Sequence, residues 1–312
     1  MSALYPAGNS AAPDVVLANP AAGSGKASRA FNALRHFANQ NNWLVDFQIS
    51  SSREDLAHLA RTAVSENRSR IFILGGDGTF QTVADALGPH PPVILGLLPA
   101  GGGNDLAVSL GIPLDPLAAA RRLVRASPKS LDAVRVRTSD GASRLFMAGG
   151  GVGIDAEAAR FASGPYRAIP GRARYILSAL RALVRFEPLK VNVTLRTASG
   201  EIETLSTSVF LAAVLNAQSY GAGVRIAPDA NVADSQLDFA LLHTLSFLEI
   251  AKLLPTLAFT GSLSTPRLER RRITYARIET DPPASFHGDG EILGTTPVEL
   301  EVIPAAFQVL RS

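Results

Sequence analysis

The sequence predicts two domains, an α/β domain built on a parallel sheet and a second, mostly antiparallel β-sandwich domain. Three observations carry this reading. Over residues 13–136 short apolar runs alternate with helix-period segments, and repeated βαβα at such spacing signals a parallel sheet covered on both faces. After Asp132 the texture changes to strand-like runs divided by turn residues such as Ser199-Gly200, which is the pattern of antiparallel structure. At 312 residues the chain also exceeds the length at which a single core usually keeps growing.

In order, Val15 to Ala18 is a short apolar strand ending at Asn19-Pro20, and Lys26 to Asn39 repeats Phe31, Leu34, Phe37 and Ala38 at helical spacing. Trp43 to Ile49 reads as the next strand, and Arg53 to Glu66 as a helix with the serines at 50–52 as caps. Ile71 to Leu74 is a strand, Thr79 to Leu87 a helix, and Val93 to Leu98 a strand that runs through PAGGGND into another helix. The later strands are expected at Val134 to Arg137, Leu145 to Ala148, Lys190 to Thr197, Ile202 to Leu205, Ser208 to Leu215, Leu237 to Leu242, Ile273 to Glu279 and Val298 to Ile303. Two helices interrupt them, Arg172 to Phe186 and Leu245 to Phe259. The boundary falls near residue 136, giving domains over 13–136 and 137–303, with 304–312 a candidate to return to the first.

Composition narrows the function. Hydrophobic residues make up 46% of the chain and charged residues 18%, which excludes a disordered protein. A net charge of +3 suits anionic ligands or an anionic membrane surface. Aromatic residues at 6% provide no stacking platform, so nucleic acid is not an expected partner. With no cysteine, disulfides, thiolate metal sites and cysteine nucleophiles are excluded, which fits a reducing, cytoplasmic setting. Met1 to Pro13 lacks the basic flank and apolar run of a signal peptide and reads as a disordered end. The most apolar later stretch, Phe239 to Leu263, contains His243, Glu249, Lys252 and Pro255, so a bilayer span would strand charge in hydrocarbon. Membrane contact, where there is any, is expected to be peripheral.

The glycine clusters carry the chemistry. GSGKAS at 23–28 resembles a phosphate-binding P-loop, but Pro20 stands where the first glycine belongs and Ala27 where the metal-binding hydroxyl should follow Lys26. What remains is a glycine turn feeding a helix N-terminus, either a ligand contact or a plain turn. GGDGT at 75–79 is more specific. Gly75, Gly76 and Gly78 let the backbone approach a triphosphate, Asp77 is a candidate partner for magnesium or its water shell, and Thr79 is a candidate helix cap and phosphate donor. PAGGGND repeats the device one βαβ step later with Gly101, Gly102, Gly103, Asn104 and Asp105, and its plain alternative is a long loop capped by Asn104 or Asp105. Both loops fall at strand carboxyl ends, where ligands bind in such folds.

NPAAGSGKA (19–27), GGDGTF (75–80), LPAGGGNDLA (98–107), APDANVADSQLD (227–238) and HGDGEILGTTP (287–297) together resemble, in order and across nearly the whole chain, the signatures of the diacylglycerol kinase catalytic-domain family, in its soluble bacterial lipid kinase branch. The resemblance implies ATP-dependent phosphorylation of a lipid hydroxyl in a cleft between an α/β nucleotide domain and a β-sandwich. It implies nucleotide contacts in the turn from Asn19 through Gly25, which includes Gly23, at Gly75 to Thr79 and at Gly101 to Asp105. It makes Asp289 the general base, with Glu291 following. It also implies a structural Mg2+ held by the Asp234 carboxylate and the main-chain carbonyls of Asn231 and Gln236, linked through water to Asp77, Asp105 and Asp132.

Phosphoryl transfer needs positioning, charge neutralisation and a destination for the alcohol proton. Asp289, flanked by Gly288 and Gly290, is sterically open for that last task, and Asp289→Asn is expected to lose activity by about 10²–10⁴-fold while folding normally. The plain alternative is an Asp-Gly hairpin between strands at 284–287 and 298–303. Asp234 has its own alternative, a turn acid. The chain departs from the family at three positions: Gly102 replaces a hydroxyl residue, Ser235 replaces the glycine after the metal aspartate, and Gly288 replaces a larger residue before Asp289. These put nucleotide affinity and the substrate pocket in question and remove no acid.

The helix expected over Arg172 to Phe186 gathers Arg174, Arg181 and Arg185 near one face, opposite Tyr175, Ile176, Ala179, Leu180, Leu183 and Val184. With Arg270-Arg271-Arg272 it is a candidate membrane-docking surface, or else an ordinary helix with a solvated basic face. His287 is expected on a strand surface or pocket wall. Three readings of the whole follow: a cytoplasmic lipid kinase meeting its substrate at a membrane face, a soluble-metabolite kinase of NAD kinase type, and a catalytically silent lipid-binding relative. Edge strands in the β-rich half make a homodimer a candidate assembly.

Overall fold

The computed structural model describes residues 12–154, 165, 177–178, 181–182, 187–220 and 224–311. It divides into two compact units, one formed by residues up to Leu131 together with Ala305–Ser312, the other by Asp132–Pro304.

The first unit is a parallel sheet with helices. Its strands are β1 (Asp14–Ala18), β2 (Val45–Ile49), β3 (Arg70–Gly75) and β4 (Ile94–Pro99). They lie in the order β4-β3-β1-β2, all parallel, and Gln308 and Val309 of the last strand, β16 (Val298–Leu310), add a parallel partner on β4. Central strands buried on both faces read as unbroken apolar runs, as in Val15-Val16-Leu17 and Ile71-Phe72-Ile73-Leu74, all at 1% exposure or less. The helices are α1 (Lys26–Gln40), α2 (Arg53–Ser65), α3 (Asp77–Leu87), α4 (Asp105–Ser109) and α5 (Pro116–Leu123). Of the serines at 50–52, Ser52 is the cap: its Oγ accepts from the Asp55 N–H at 3.1 Å, and Asp55 accepts in return from the Ser51 N–H at 2.7 Å. Trp43 lies just outside β2. Its ring packs edge-on against Phe72, and its Nε1 donates to the buried Asp14 carboxylate at 2.6 Å, which Arg70 also grips. This buried ion pair fixes the amino ends of β1 and β3, at the end of the sheet away from the glycine loops.

The second unit is mainly antiparallel, with one isolated parallel bridge between Arg225 and Ser262. It contains the later part of β5 (Pro128–Thr138), then β6 (Ser143–Phe146), β7 (Gly149–Gly153), β8 (Leu189–Thr197), β9 (Ile202–Leu215), β10 (Ser219–Tyr220), β11 (Val224–Arg225), β12 (Leu237–His243), β13 (Leu268–Asp281), β14 (Ser285–Gly288), β15 (Glu291–Thr295) and the start of β16. Two long strands make the sandwich. β9 pairs with β8 through its first half and with β12 and β7 through its second, while β13 pairs with β12 early and with β8 and β16 late. Thus β8 and β12 each pair with both long strands. A core that includes Val193, Val209, Phe146, Phe239, Ile278 and Phe286 fills the interior. A second apolar cluster packs Leu211, Ala213 and Leu242 with Ile250 and Leu253 of helix α6 (Phe247–Thr260).

Several expectations change at this level. Ile202 to Leu205 and Ser208 to Leu215 are one strand, because Ser206 and Thr207 continue the ladder to β8. The hairpin after Asp289 closes on β15, not on the strand at 298–303. Strand β7, GGGVG, was not foreseen, since glycine carries little strand preference. All five of its residues are buried, and a Cβ at Gly150 or Gly151 would come within 2.6 or 2.8 Å of the carbonyl oxygen of His287 or Ala212. The expected helix Arg172 to Phe186, including Arg174 and Arg185, lies outside the described residues apart from Leu177, Ser178, Arg181 and Ala182, which are helical. No described helix is long and apolar enough to cross a membrane.

Candidate active site

In the first unit three loops leave the carboxyl ends of β1, β3 and β4 and pack on one another. Asn19 follows β1. Its N–H continues the ladder to Leu74 at 3.0 Å, its Oδ1 accepts from Ala21 N–H, and its Nδ2 donates to Thr79 Oγ1 at 3.3 Å. The next residues form a 3-10 turn, Ala22–Gly25, with left-handed φ at Gly23, Ser24 and Gly25, and Gly25 is the N-cap of α1. A side chain at Gly23 would collide with the Ala100 carbonyl, so this turn lies directly against the loop after β4. Lys26, the lysine of the P-loop resemblance, donates its Nζ to the Leu114 carbonyl at 2.9 Å and braces α1 instead of reaching outward.

The two acid-bearing glycine loops touch backbone to backbone. A Cβ on Gly101 would stand 2.5 Å from the Gly76 Cα, and one on Gly76 would stand 2.8 Å from the Gly101 Cα. Such separations leave no room for any side chain. A carboxylate then ties the loops together: Asp77 accepts from the Asp105 N–H at 3.0 Å on Oδ2 and from the Leu106 N–H at 3.2 Å on Oδ1. Asp77 therefore caps α4 from a different loop. Asn104 is the N-cap of α4, as expected, but its side chain makes no cap bond and closes its own turn, with Oδ1 on the Gly101 N–H at 2.9 Å and Nδ2 on the Gly101 carbonyl at 3.0 Å. Its left-handed φ of +61° is one that asparagine tolerates. Gly102 follows in the same bend. Thr79 is not a cap either: Gly76 is the N-cap of α3, and Thr79 sits inside the first turn, buried, as does Gly78, whose carbonyl accepts from Thr82 Oγ1.

In the second unit Asp289 lies at the turn between β14 and β15, with φ +49°. Its carboxylate accepts from the N–H groups of Met147 at 2.7 Å, Ala148 at 2.8 Å and Gly149 at 3.2 Å, and its own N–H donates to the Gly149 carbonyl at 2.9 Å. Three donors on one carboxylate fix its position firmly. They also mean that Asp289 supports the fold, so the expectation that Asp289→Asn folds normally is revised. Glu291 opens β15, in register with Gly288. Gly288 has a packing reason: a Cβ there would come within 2.5 Å of Leu293 Cδ1 and 3.0 Å of the Phe146 ring.

Sequence reasoning missed Asn216. Fully buried, it donates Nδ2 to the carbonyls of Met147 at 2.8 Å and Asp132 at 3.0 Å, and so steadies the segment whose N–H groups hold Asp289. Its Oδ1 has no hydrogen-bond partner among the described residues. A lone asparagine in an apolar strand end was the available signal, since buried polar side chains are kept where their bonds matter.

The loop 231–236 holds the three residues expected to ligate a metal directly, Asn231, Asp234 and Gln236. Asp132 latches it, with Oδ2 accepting from Ser235 N–H at 2.6 Å and its N–H donating to the Val232 carbonyl at 2.7 Å. Asn231 Oδ1 accepts from Ala233 N–H, and Asp234 Oδ1 accepts from Gln236 N–H at 3.1 Å. Asp234 Oδ2 forms an ion pair with Arg272. Ser235 takes a left-handed φ of +61°, which explains why a glycine suits that position in similar sequences. Asp77 and Asp105 belong to the first unit, Asp132 and Asp234 to the second. Among the described residues no three His, Cys, Asp or Glu side chains are grouped to hold a metal ion. Asp234 thus meets one N–H and one guanidinium.

The run Arg270-Arg271-Arg272 is balanced by acids: Arg270 lies 3.9 Å from Asp229, Arg271 lies 3.3 Å from Glu269 and 3.6 Å from Glu203, and Arg272 pairs with Asp234.

Residues 13–136 match the diacylglycerol kinase catalytic domain, and residues 150–311 match the YegS C-terminal NAD kinase beta sandwich-like domain, which alone spans more than half the chain. The chain belongs to the YegS-like diacylglycerol kinase family. As a whole, this YegS-like chain is similar to a protein named diacylglycerol kinase from Mycobacterium tuberculosis, with 28% identity over 300 residues, covering 95% of this chain and 94% of that one. Its fold is similar to the crystal structure of a diacylglycerol kinase from Bacillus anthracis, with a TM-score of 0.72, 17% identity and 98% coverage of each chain. A more distant fold likeness, TM-score 0.51 at 11% identity, covering 96% of this chain and 83% of that one, is to a yeast NADH kinase solved with NADH. Members of the family are lipid kinases, and kinase membership implies use of ATP.

Proposed function

We propose that the protein is an ATP-dependent lipid kinase that moves the γ-phosphate to a hydroxyl of diacylglycerol or a related lipid. The observation that carries this is the packing of three glycine-bearing loops against one another at the carboxyl ends of β1, β3 and β4. Backbone packed so closely, at the N-termini of α1 and α3, offers a polyphosphate N–H groups and helix-dipole charge. Asn19, Gly23, Gly25, Gly75, Gly76, Gly78, Thr79, Gly101, Gly102 and Asn104 belong to this cradle. Asp77 and Asp105 set its shape, Asp77 by capping α4.

On the acceptor side Asp289 receives the proton of the lipid hydroxyl, with Glu291 beside it. Phosphoryl transfer through a loose transition state asks more of position than of base strength, and a carboxylate fixed by three N–H groups supplies position. The work of Met147, Ala148 and Gly149 is to hold that acid where the hydroxyl must be oriented.

The test is an assay with ATP, Mg2+ and mixed lipid vesicles, run in parallel with NAD. Phosphorylated lipid supports the proposal. Phosphorylated NAD with no lipid product replaces it with a soluble-metabolite kinase, and lipid binding without transfer replaces it with a silent relative. Comparing lipids from cells with and without the protein then names the acceptor.

A further inference from the structure

We infer that Arg272 supplies the positive charge on Asp234 that a divalent cation would otherwise supply, so that the loop 231–236 is ordered without metal. The loop is closed by protein donors at each turn. Asp234 has one carboxylate oxygen on the Gln236 N–H and the other on the Arg272 guanidinium, while Ser235 N–H is bound to Asp132. Magnesium is held by oxygen ligands of high negative charge, and a carboxylate already paired with a backbone N–H and an arginine has its charge compensated within the protein.

The sheet delivers that arginine. Arg272 lies on β13 directly opposite Asp238 on β12 in the strand register, so its backbone position is fixed by the ladder and its side chain reaches the loop that leads into β12. Asp238 is buried. Arg270, the other cation nearby, stands 3.9 Å from Asp229. Without Arg272 the segment would hold Asp234 and Asp238 with a single balancing arginine between three acids, the condition in which a loop comes to depend on an external cation.

The inference is independent of the kinase reading, because its test uses neither nucleotide nor lipid. The melting temperature of the full chain is measured in EDTA and in millimolar Mg2+, for the wild type and for Arg272→Gln, Arg272→Lys, Asp234→Asn and the Arg272→Gln/Asp234→Asn double variant. The wild type is expected to melt at the same temperature in both buffers. Arg272→Gln is expected to melt about 2–4 °C lower in EDTA and to recover in Mg2+, with Asp234→Asn abolishing the recovery and Arg272→Lys staying close to the wild type. Hydrogen exchange of the Ser235 and Gln236 amides in the wild type provides a measurement that no variant's folding can spoil: equal protection in EDTA and Mg2+ is expected. The inference is overturned if the wild-type melting temperature or the Ser235 protection rises with Mg2+ and Asp234→Asn removes the rise. It is also overturned if Arg272→Gln matches the wild type in EDTA.

Discussion

The two units hold their acid-bearing loops by different means. In the first, loops are seated by backbone against backbone, Gly76 on Gly101, and one carboxylate, Asp77, spans from one loop to two N–H groups of the next. In the second, the acids themselves are gripped: Asp289 by three N–H groups, Asp132 by one, Asp234 by an N–H and an arginine. The first arrangement leaves N–H groups at helix ends to meet an anionic ligand; the second fixes carboxylates at set positions. A kinase needs both, donors for the phosphates and an anchored acid for the hydroxyl. The difference also sorts which substitutions damage shape and which damage chemistry.

The largest effect is expected at Asp289. Asparagine retains one acceptor oxygen for three donors and turns an NH2 group toward N–H groups. Asp289→Asn should therefore lose on the order of 2–3 kcal/mol of stability along with about 10²–10⁴-fold in lipid phosphorylation. Chemical denaturation and the vesicle assay read the two losses separately. A variant that loses the stability but keeps activity within tenfold of the wild type would make Asp289 an anchor alone and leave the proton to Glu291.

Gly101→Ala breaks the other arrangement. The added methyl meets the Gly76 Cα, a backbone atom with no rotamer to adopt, so the loops must separate. Overpacking of this kind costs about 1–3 kcal/mol, and a shift of about 1 Å at a reacting geometry costs about 10²-fold in rate. The expected signature is a raised KM for ATP with lipid KM unchanged. Equal changes in both would show that the glycine contact is not specific to the nucleotide side.

These two substitutions also show what was legible in the sequence. Gly75, Gly76, Gly101 and the acids beside them are contiguous, so the loops of the first unit could be read locally, down to the strand ends that carry them. Yet each glycine suggested a ligand, whereas in the structure Gly76 and Gly101 answer to each other and Thr79 faces Asn19. The grip on Asp289 was invisible, because Met147 to Gly149 lie some 140 residues away in sequence and a backbone N–H has no letter of its own. Strand β7 failed for the same reason: GGGVG is a strand only because β9 and β14 flank it. Arg272 looked like one member of a basic run until the register set it across from Asp238.

A smaller effect is expected from Asp77, which tests whether the coupling of the two glycine loops matters by itself. Asp77→Ala removes the acceptor of two N–H groups at the start of α4, a loss worth about 1–2 kcal/mol for a helix cap. Asp77→Asn should recover part of it, because one oxygen still accepts. Urea denaturation orders the three proteins, and KM for ATP should rise in the same order. If KM rises for both variants while their stabilities equal that of the wild type, Asp77 touches the nucleotide or its metal directly and is not acting through Asp105 and Leu106.

The smallest effect is expected where a gripped carboxylate is open to solvent on one side. Glu249, in the first turn of α6, accepts from the N–H and hydroxyl of Ser246 at 2.8 Å each, while Ser246 Oγ accepts in return from the Glu249 N–H, a reciprocal cap. The Ser246 N–H first, then its hydroxyl and Arg267, hold the Glu249 carboxyl down to about 2 from its ordinary 4.5. A depressed carboxyl stabilises the fold fully above the unfolded value, and that contribution is lost as the pH falls from 4.5 through 2. Glu249→Gln keeps an acceptor for Ser246 but no charge. Its melting temperature should sit slightly below the wild type at neutral pH, and the gap should close as the wild-type carboxyl is protonated. Water and salt compete at this site, so the gap should also shrink in high salt. A gap unchanged by either acid or salt would mean that shape, and not charge, holds the start of α6.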